Sequence, residues 1–135
     1  MAGARTPQQR TGDEAERAVA ERLSAEGWQI LGTHVRVGRG ELDLLAVDPG
    51  PPPMLVVVEV RWRRDRGYGL PEDTFDWRKR SHLRRAVGRL MAAGTLANGS
   101  PLPALAVRVD LVAVEPPLRA DGPPRFRHHR SALEE

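Results

Sequence analysis

Apolar residues recur along this chain in two periods, and the switch between them marks out the elements. Ala15, Ala18, Val19 and Leu23 fall three or four apart, with Ala20 and Ala25 widening the stripe, the spacing of one helix face. Thr11 or Asp13 is available as N-cap, acidic residues fill the first turn, and Gly27 serves as C-cap. Residues 1–10 before it read as a disordered basic leader, and residues 11–135 as one domain. WQIL at Trp28–Leu31 predicts a short first strand, and Thr33–Arg39 a loop or irregular edge strand. Glu41–Val47 and Met54–Trp62 then follow strand periodicity around the turn DPGPPP, which is too proline-rich to pair. RRDRGYGLPEDTFD reads as a loop. A second helix is predicted from about Phe75 or Trp77 to Ala93, with Asp76 as N-cap. Its apolar stripe is Trp77, His82 or Leu83, Ala86, Val87, Leu90 and Met91, which puts Trp77 in the core rather than under a nucleic-acid base. Leu105–Val114 alternates as a further strand, residues 115–124 form a proline-rich linker, and FRHHRSALEE adds a last strand or short helix.

The order helix, strand, strand, strand, helix, strand implies an α/β domain with a central mixed sheet. The run MLVVV has the character of a strand buried on both faces, yet Glu59 stands in the same strand. A carboxylate there is costly unless something pairs it. A hairpin centred near Pro51 places residue 43 opposite residue 59, with Cβ atoms about 5 Å apart. Asp43 and Glu59 would then repel unless a cation lies between them, and a hard divalent metal such as Mg2+ is one such cation. The alternative is structural: buried ion pairs of Asp43 and Glu59 with Arg61, Arg63 or Arg108. Arg108 and Asp110 share a strand face and pair locally in the simplest reading. Glu16 sits beside the apolar stripe of the first helix, either directed into the domain or solvated.

Composition narrows the chemistry. There is no cysteine, which excludes disulfides, thiolate zinc sites and a cysteine nucleophile. The N-terminal residues carry no apolar stretch of a signal peptide, and no segment approaches the ~20 apolar residues of a membrane span. A cytoplasmic protein without membrane attachment is expected. Net charge is +3, and Lys79 is the sole lysine among 21 basic residues. Between Arg61 and Arg89 lie Arg61, Arg63, Arg64, Arg66, Arg78, Lys79, Arg80, Arg84, Arg85 and Arg89, against Asp65, Glu72, Asp73 and Asp76. That local excess is the footprint of a nucleic-acid binder, or of a solvated helix face. His128 and His129 are adjacent and point apart in a strand, a poor spacing for a two-histidine metal site. Neither a Ser-His-Asp order, a P-loop nor a glycine-rich dinucleotide loop is present.

The chain resembles the YraN-like family of small bacterial proteins, and through it the Holliday junction resolvases and the PD-(D/E)-x-K nuclease superfamily. The resemblance rests on TGDEAERAVAERLSAEGW, GELDLLAV, VVVEVRWR, Tyr68–Gly69, Lys79, RVDLVAV and HHRSAL, from Thr11 to Leu133. It implies a restriction-endonuclease-like three-layer core, αβββαβ. Asp43 matches the metal-binding aspartate, Glu59 the acidic residue of the third-strand motif, and Glu16 the first-helix glutamate of the resolvase-like branch. Arg61 stands where the superfamily usually has lysine. Arginine stabilises phosphorane-like charge through a rigid fork but cannot act as a base.

On this resemblance the chain is expected to be a divalent-metal-dependent endonuclease for DNA, including branched or structured forms. Glu16, Asp43, Glu59 and Arg61 form its site, with Mg2+ or Mn2+ on Asp43 and Glu59. Arg63, Arg64, Arg66, Arg78, Lys79 and Arg85 hold nucleic acid. Resolvase-like proteins pair, so a homodimer is expected too. The rival expectation is a non-catalytic nucleic-acid-binding or adaptor domain, and a weaker one is a module whose arginines face an acidic protein.

Overall fold

A computed structural model describes residues 6–134 of the chain. Its elements are α1 (Pro7–Ala25), β1 (Gln29–Val37), β2 (Gly40–Asp48), β3 (Met54–Trp62), a single 3-10 turn (Pro71–Thr74), α2 (Trp77–Ala93), β4 (Val107–Glu115) and β5 (Arg125–His129). The five strands lie in sequence order in one sheet. β1–β2–β3 form an antiparallel meander, β4 runs parallel to β3, and β5 returns antiparallel along β4. α2 lies in the crossover that a parallel pair requires.

The helices cover opposite faces of the sheet, because alternate strand residues face opposite ways. Leu44, Ala46, Val56, Val58, Val112 and Val114 pack with Ala15, Val19 and Leu23 of α1. Leu45, Leu55, Val57, Val109 and Leu111 pack with Leu83, Val87 and Leu90 of α2. β3 is therefore apolar on both faces, and each Val or Leu it buries contributes ~1.5–3 kcal/mol over exposure. This is the three-layer αβββαβ core expected from the resemblance, with β5 added beyond β4. Among the described residues no helix is long and apolar enough to cross a membrane.

Several details differ from the sequence reading. α1 begins at Pro7, so residues 7–10 are helical, while residues 1–5 lie outside the described residues. Proline suits the first helical position, whose N–H has no partner within the helix. Thr11 is an interior residue rather than a cap, its hydroxyl donating to the Pro7 carbonyl at 2.9 Å. β1 extends to Val37, passing a register shift between Ile30 and Gly32 that hid its period. Trp77 is 71% exposed, which corrects its placement in the core. The buried stripe of α2 is Leu83, Val87 and Leu90, and Trp77 lies about a third of a turn off it at 100° per residue. Asp76 does cap α2, accepting from Lys79 N at 3.1 Å, and Gly94 ends the helix in the left-handed region at φ 69°.

Candidate active site

The β2–β3 ladder runs from Asp48↔Met54 to Leu44↔Val58, a register centred on residue 51. It stops one step before Asp43 and Glu59. The Val60 N–H donates there to Asp43 Oδ2 at 2.9 Å, so a side chain replaces the ladder. The carboxyl group of Asp43 interacts electrostatically with Glu59 and with Glu16, which reaches it from α1. Three carboxylates from three elements thus meet at the end of the central hairpin.

They meet at an electrostatic cost. Burial, then the neighbouring Asp43, pushes the Glu59 carboxyl up to about 8. Burial also raises Asp43, with Glu16 adding to the rise, and raises Glu16 itself. Two carboxyl groups this close cannot both ionise cheaply, so without another cation they retain a proton. That is the donor set a hard divalent cation displaces a proton from, and Asp43 and Glu59 fit one.

Arg61, two residues along β3, donates from Nη2 to Glu59 Oε2 at 2.6 Å. Its Nε is buried and has no hydrogen-bond partner among the described residues, and the same holds for Nη1 of Arg63. Alternation puts Glu59 and Arg61 on one side of the strand. The unsatisfied guanidinium donor of Arg61 beside Glu59 makes a place for an anion. On the α2 side, a cleft of about 230 Å3 is lined by Gly40, Glu41, Leu42, Glu59, Lys79, His82, Leu83 and Ala86. It shares Gly40, His82 and Ala86 with a second trough that adds Arg39, Arg85 and Arg89. A basic path therefore leads from Glu59 along α2.

On the α1 side, His34 is a hub the sequence reading missed. Its Nε2 lies 2.9 Å from Glu16 Oε2 and 3.6 Å from Asp13 Oδ1, and its Nδ1 lies 2.9 Å from Glu41 Oε1. Burial works against its charge, but Glu41, Glu16 and Asp13 together raise its pKa. Asp13, Glu16 and His34 also bring one ligand atom each within 4.8 Å of one another.

The model of the uncharacterised protein family UPF0102 matches residues 15–114, which hold α1 from Ala15, the hairpin, α2 and most of β4. The chain belongs to this family. UPF0102 is the YraN family of the sequence resemblance. Among its relatives, the UPF0102 protein STH1475 of Symbiobacterium thermophilum is 39% identical over 107 residues, 79% of this chain and 83% of its own. A UPF0102 protein of Roseiflexus castenholzii is 35% identical over 120 residues, 89% of this chain and 88% of its own. Among solved structures, SfsA of Pyrococcus furiosus in complex with Ca2+ is similar over 96% of this chain and 73% of that one, at 16% identity and a TM-score of 0.39.

In this UPF0102 member Glu16, Asp43, Glu59 and Arg61 come together, Lys79 lines the same cleft as Glu59, and Arg63 lines a groove at the end of β3. Arg64 is exposed on the loop after β3, Arg78 rests over the Trp77 ring at 5.6 Å, and Arg85 lines the α2 trough. Arg66 is engaged within the fold. It grips buried Glu115 with Nε and Nη2 at 2.8 and 2.9 Å. Arg108 likewise holds Asp110 and Asp48, not Asp43 or Glu59. His128 and His129 reach different carboxylates, Asp110 and Glu72.

Proposed function

We propose that this protein is a divalent-metal-dependent endonuclease acting on DNA, with branched or structured forms as its substrate class. One observation carries the reading: the carboxyl groups of Glu16, Asp43 and Glu59 come together at the end of the β2–β3 hairpin beside Arg61, which keeps an unsatisfied donor. Asp43 and Glu59 would hold Mg2+ or Mn2+, which would supply Lewis acidity there. Arg61 binds the scissile phosphate through its spare N–H and counters the negative charge that grows there during attack. It takes no proton, since a guanidinium is always charged at working pH. Glu16 positions Asp43. Lys79, Arg85 and Arg89 track the flanking backbone along α2, contacts that position the substrate without reading its sequence.

The Arg61–Glu59 ion pair favours a second reading. It already neutralises Glu59 from within, as expected of a nucleic-acid-binding domain without turnover. Cleavage of labelled single-stranded, duplex, flap and four-way-junction DNA separates the two. The nuclease reading expects Mg2+- or Mn2+-dependent cutting of one of these that Asp43→Asn abolishes. Salt-sensitive binding with no cutting of any of them supports the binding domain instead.

A further inference from the structure

Two of the six aromatic residues of this chain are strongly exposed, Tyr68 on the segment joining β3 to α2 and Trp77 as the first residue of α2. Tyr68 is 92% exposed and Trp77 is 71% exposed. Trp28 and Phe75 are buried, and Trp62 and Phe126 pack partly against the core, so the other four rings have structural duties. Tyr68 has none visible: it contributes neither to a core cluster nor to a ring pair among the described residues. An aromatic side chain held in water on a loop gives up burial worth having, which calls for another use.

The surroundings of Tyr68 say which use. Trp62, Arg63, Arg64, Asp65 and Tyr68 line an open groove of about 320 Å3 at the end of β3, beginning one residue beyond Arg61. Two arginines face one aspartate there, so the groove is basic. Arg63 brings a buried N–H without an acceptor. Trp77, at the start of α2, carries Arg78 stacked over its ring at 5.6 Å. Exposed rings set among arginines form the surface on which unpaired bases stack while the guanidinium groups hold the backbone. A continuous duplex hides its base faces and gains nothing from such rings.

We infer that this groove binds an unpaired nucleotide. Tyr68 stacks on its base, and Arg63 and Arg64 hold its phosphate. The substrate is therefore nucleic acid with unpaired bases beside the phosphate at Arg61. The inference rests on the phosphodiester reading of the Asp43–Glu59 site, but its test needs no cleavage.

The probe is a fluorescent oligothymidylate of about twelve nucleotides, within the range of single-strand site sizes. A duplex of equal length is the comparison, and anisotropy is followed in EDTA at several salt concentrations. Wild type is expected to bind the single strand more tightly than the duplex. Tyr68→Ala should weaken single-strand binding about tenfold, the scale of one lost base stack, with its salt slope unchanged. Tyr68→Phe should bind as wild type. Arg64→Ala should lower the salt slope by about one, as one lost phosphate contact does. Single-strand affinity unchanged in Tyr68→Ala, or equal affinity of wild type for both probes, overturns the inference and leaves these rings to a protein partner. Single-strand binding with these variant effects but no cleavage of any DNA leaves this inference standing and removes the nuclease reading alone.

Discussion

Asp43 and Glu59 occupy the first positions of the β2–β3 hairpin at which the ladder has stopped, and there the Asp43 carboxylate takes over, accepting from the Val60 N–H of β3 at 2.9 Å. The geometry follows from the turn. A hairpin centred on residue 51 must oppose 43 and 59, and the apolar residues on both sides of them fix which way each strand faces. Two acids are thereby forced together where both are largely removed from water.

That proximity sets a pH dependence. Glu59 titrates at about 8 in the fold against an ordinary 4.5. Between these values the folded protein holds a proton that the unfolded chain has released. Its contribution to stability is complete below 4.5 and is lost as pH rises through 8. Thermal melts in EDTA should show wild type losing stability between pH 5 and pH 8.5 relative to Glu59→Gln. Mg2+ should raise the melting temperature more at pH 8 than at pH 6, because binding expels the proton. Parallel pH profiles for the two proteins would refute the shared-proton account.

Arg61 competes with any metal for Glu59, since its Nη2 sits 2.6 Å from Oε2. Removing it should help the ion and harm the chemistry. Arg61→Gln is expected to bind Ca2+ more tightly in calorimetry while losing about 100-fold or more in cleavage rate, the scale of one lost oxyanion donor. Weaker Ca2+ binding in the variant would mean that Arg61 supports the carboxylates rather than opposing the ion.

A second charge network belongs to stability. Glu115, 2% exposed, accepts from Arg66 and from Arg127, and Arg127 also holds Glu72. Arg66, followed by Arg127, holds Glu115 down at about 2, and Arg127 does the same for Glu72. Both groups therefore stabilise the fold above their ordinary 4.5, and that stability drains away as pH falls from 4.5 towards 2. Glu115→Gln should cost about 3 kcal/mol in urea unfolding at pH 7, by leaving two arginines underpaired. Arg66→Ala should likewise lower stability while leaving the affinity for single-stranded DNA unchanged. A tenfold loss of that affinity would return Arg66 to the nucleic-acid surface.

What could be read from the sequence was whatever local rules fix. The bounds of β3, the hairpin register, the Asp76 cap and the Gly94 stop all follow from periodicity, turn length and cap chemistry. The Arg108–Asp110 pair followed from strand alternation. What escaped depends on residues far apart. Arg66 looks like one more arginine of a basic run until Glu115, 49 residues away, claims it. His34 looks like a lone loop histidine, because the register shift between Ile30 and Gly32 disguises β1, and only the packing of α1 brings Asp13 and Glu16 to its ring. Trp77 was misplaced because a tryptophan near the start of an amphipathic helix matches core spacing loosely. A helical-wheel angle taken from Leu83, Val87 and Leu90 separates it from the stripe. The early start of α1 had a signal in Pro7, a favoured first helical residue.

The central claim is that Asp43 and Glu59 form a cation centre rather than a self-contained ion pair. Calorimetric titration of the protein with Mn2+ near pH 8, where Glu59 gives up its proton readily, tests this without knowledge of the substrate. Wild type is expected to bind Mn2+ with release of protons to the buffer, and Asp43→Asn to lose that binding while keeping its fold by circular dichroism. Equal Mn2+ binding by both proteins, or none by wild type, would contradict the account and leave Glu59 as the structural partner of Arg61.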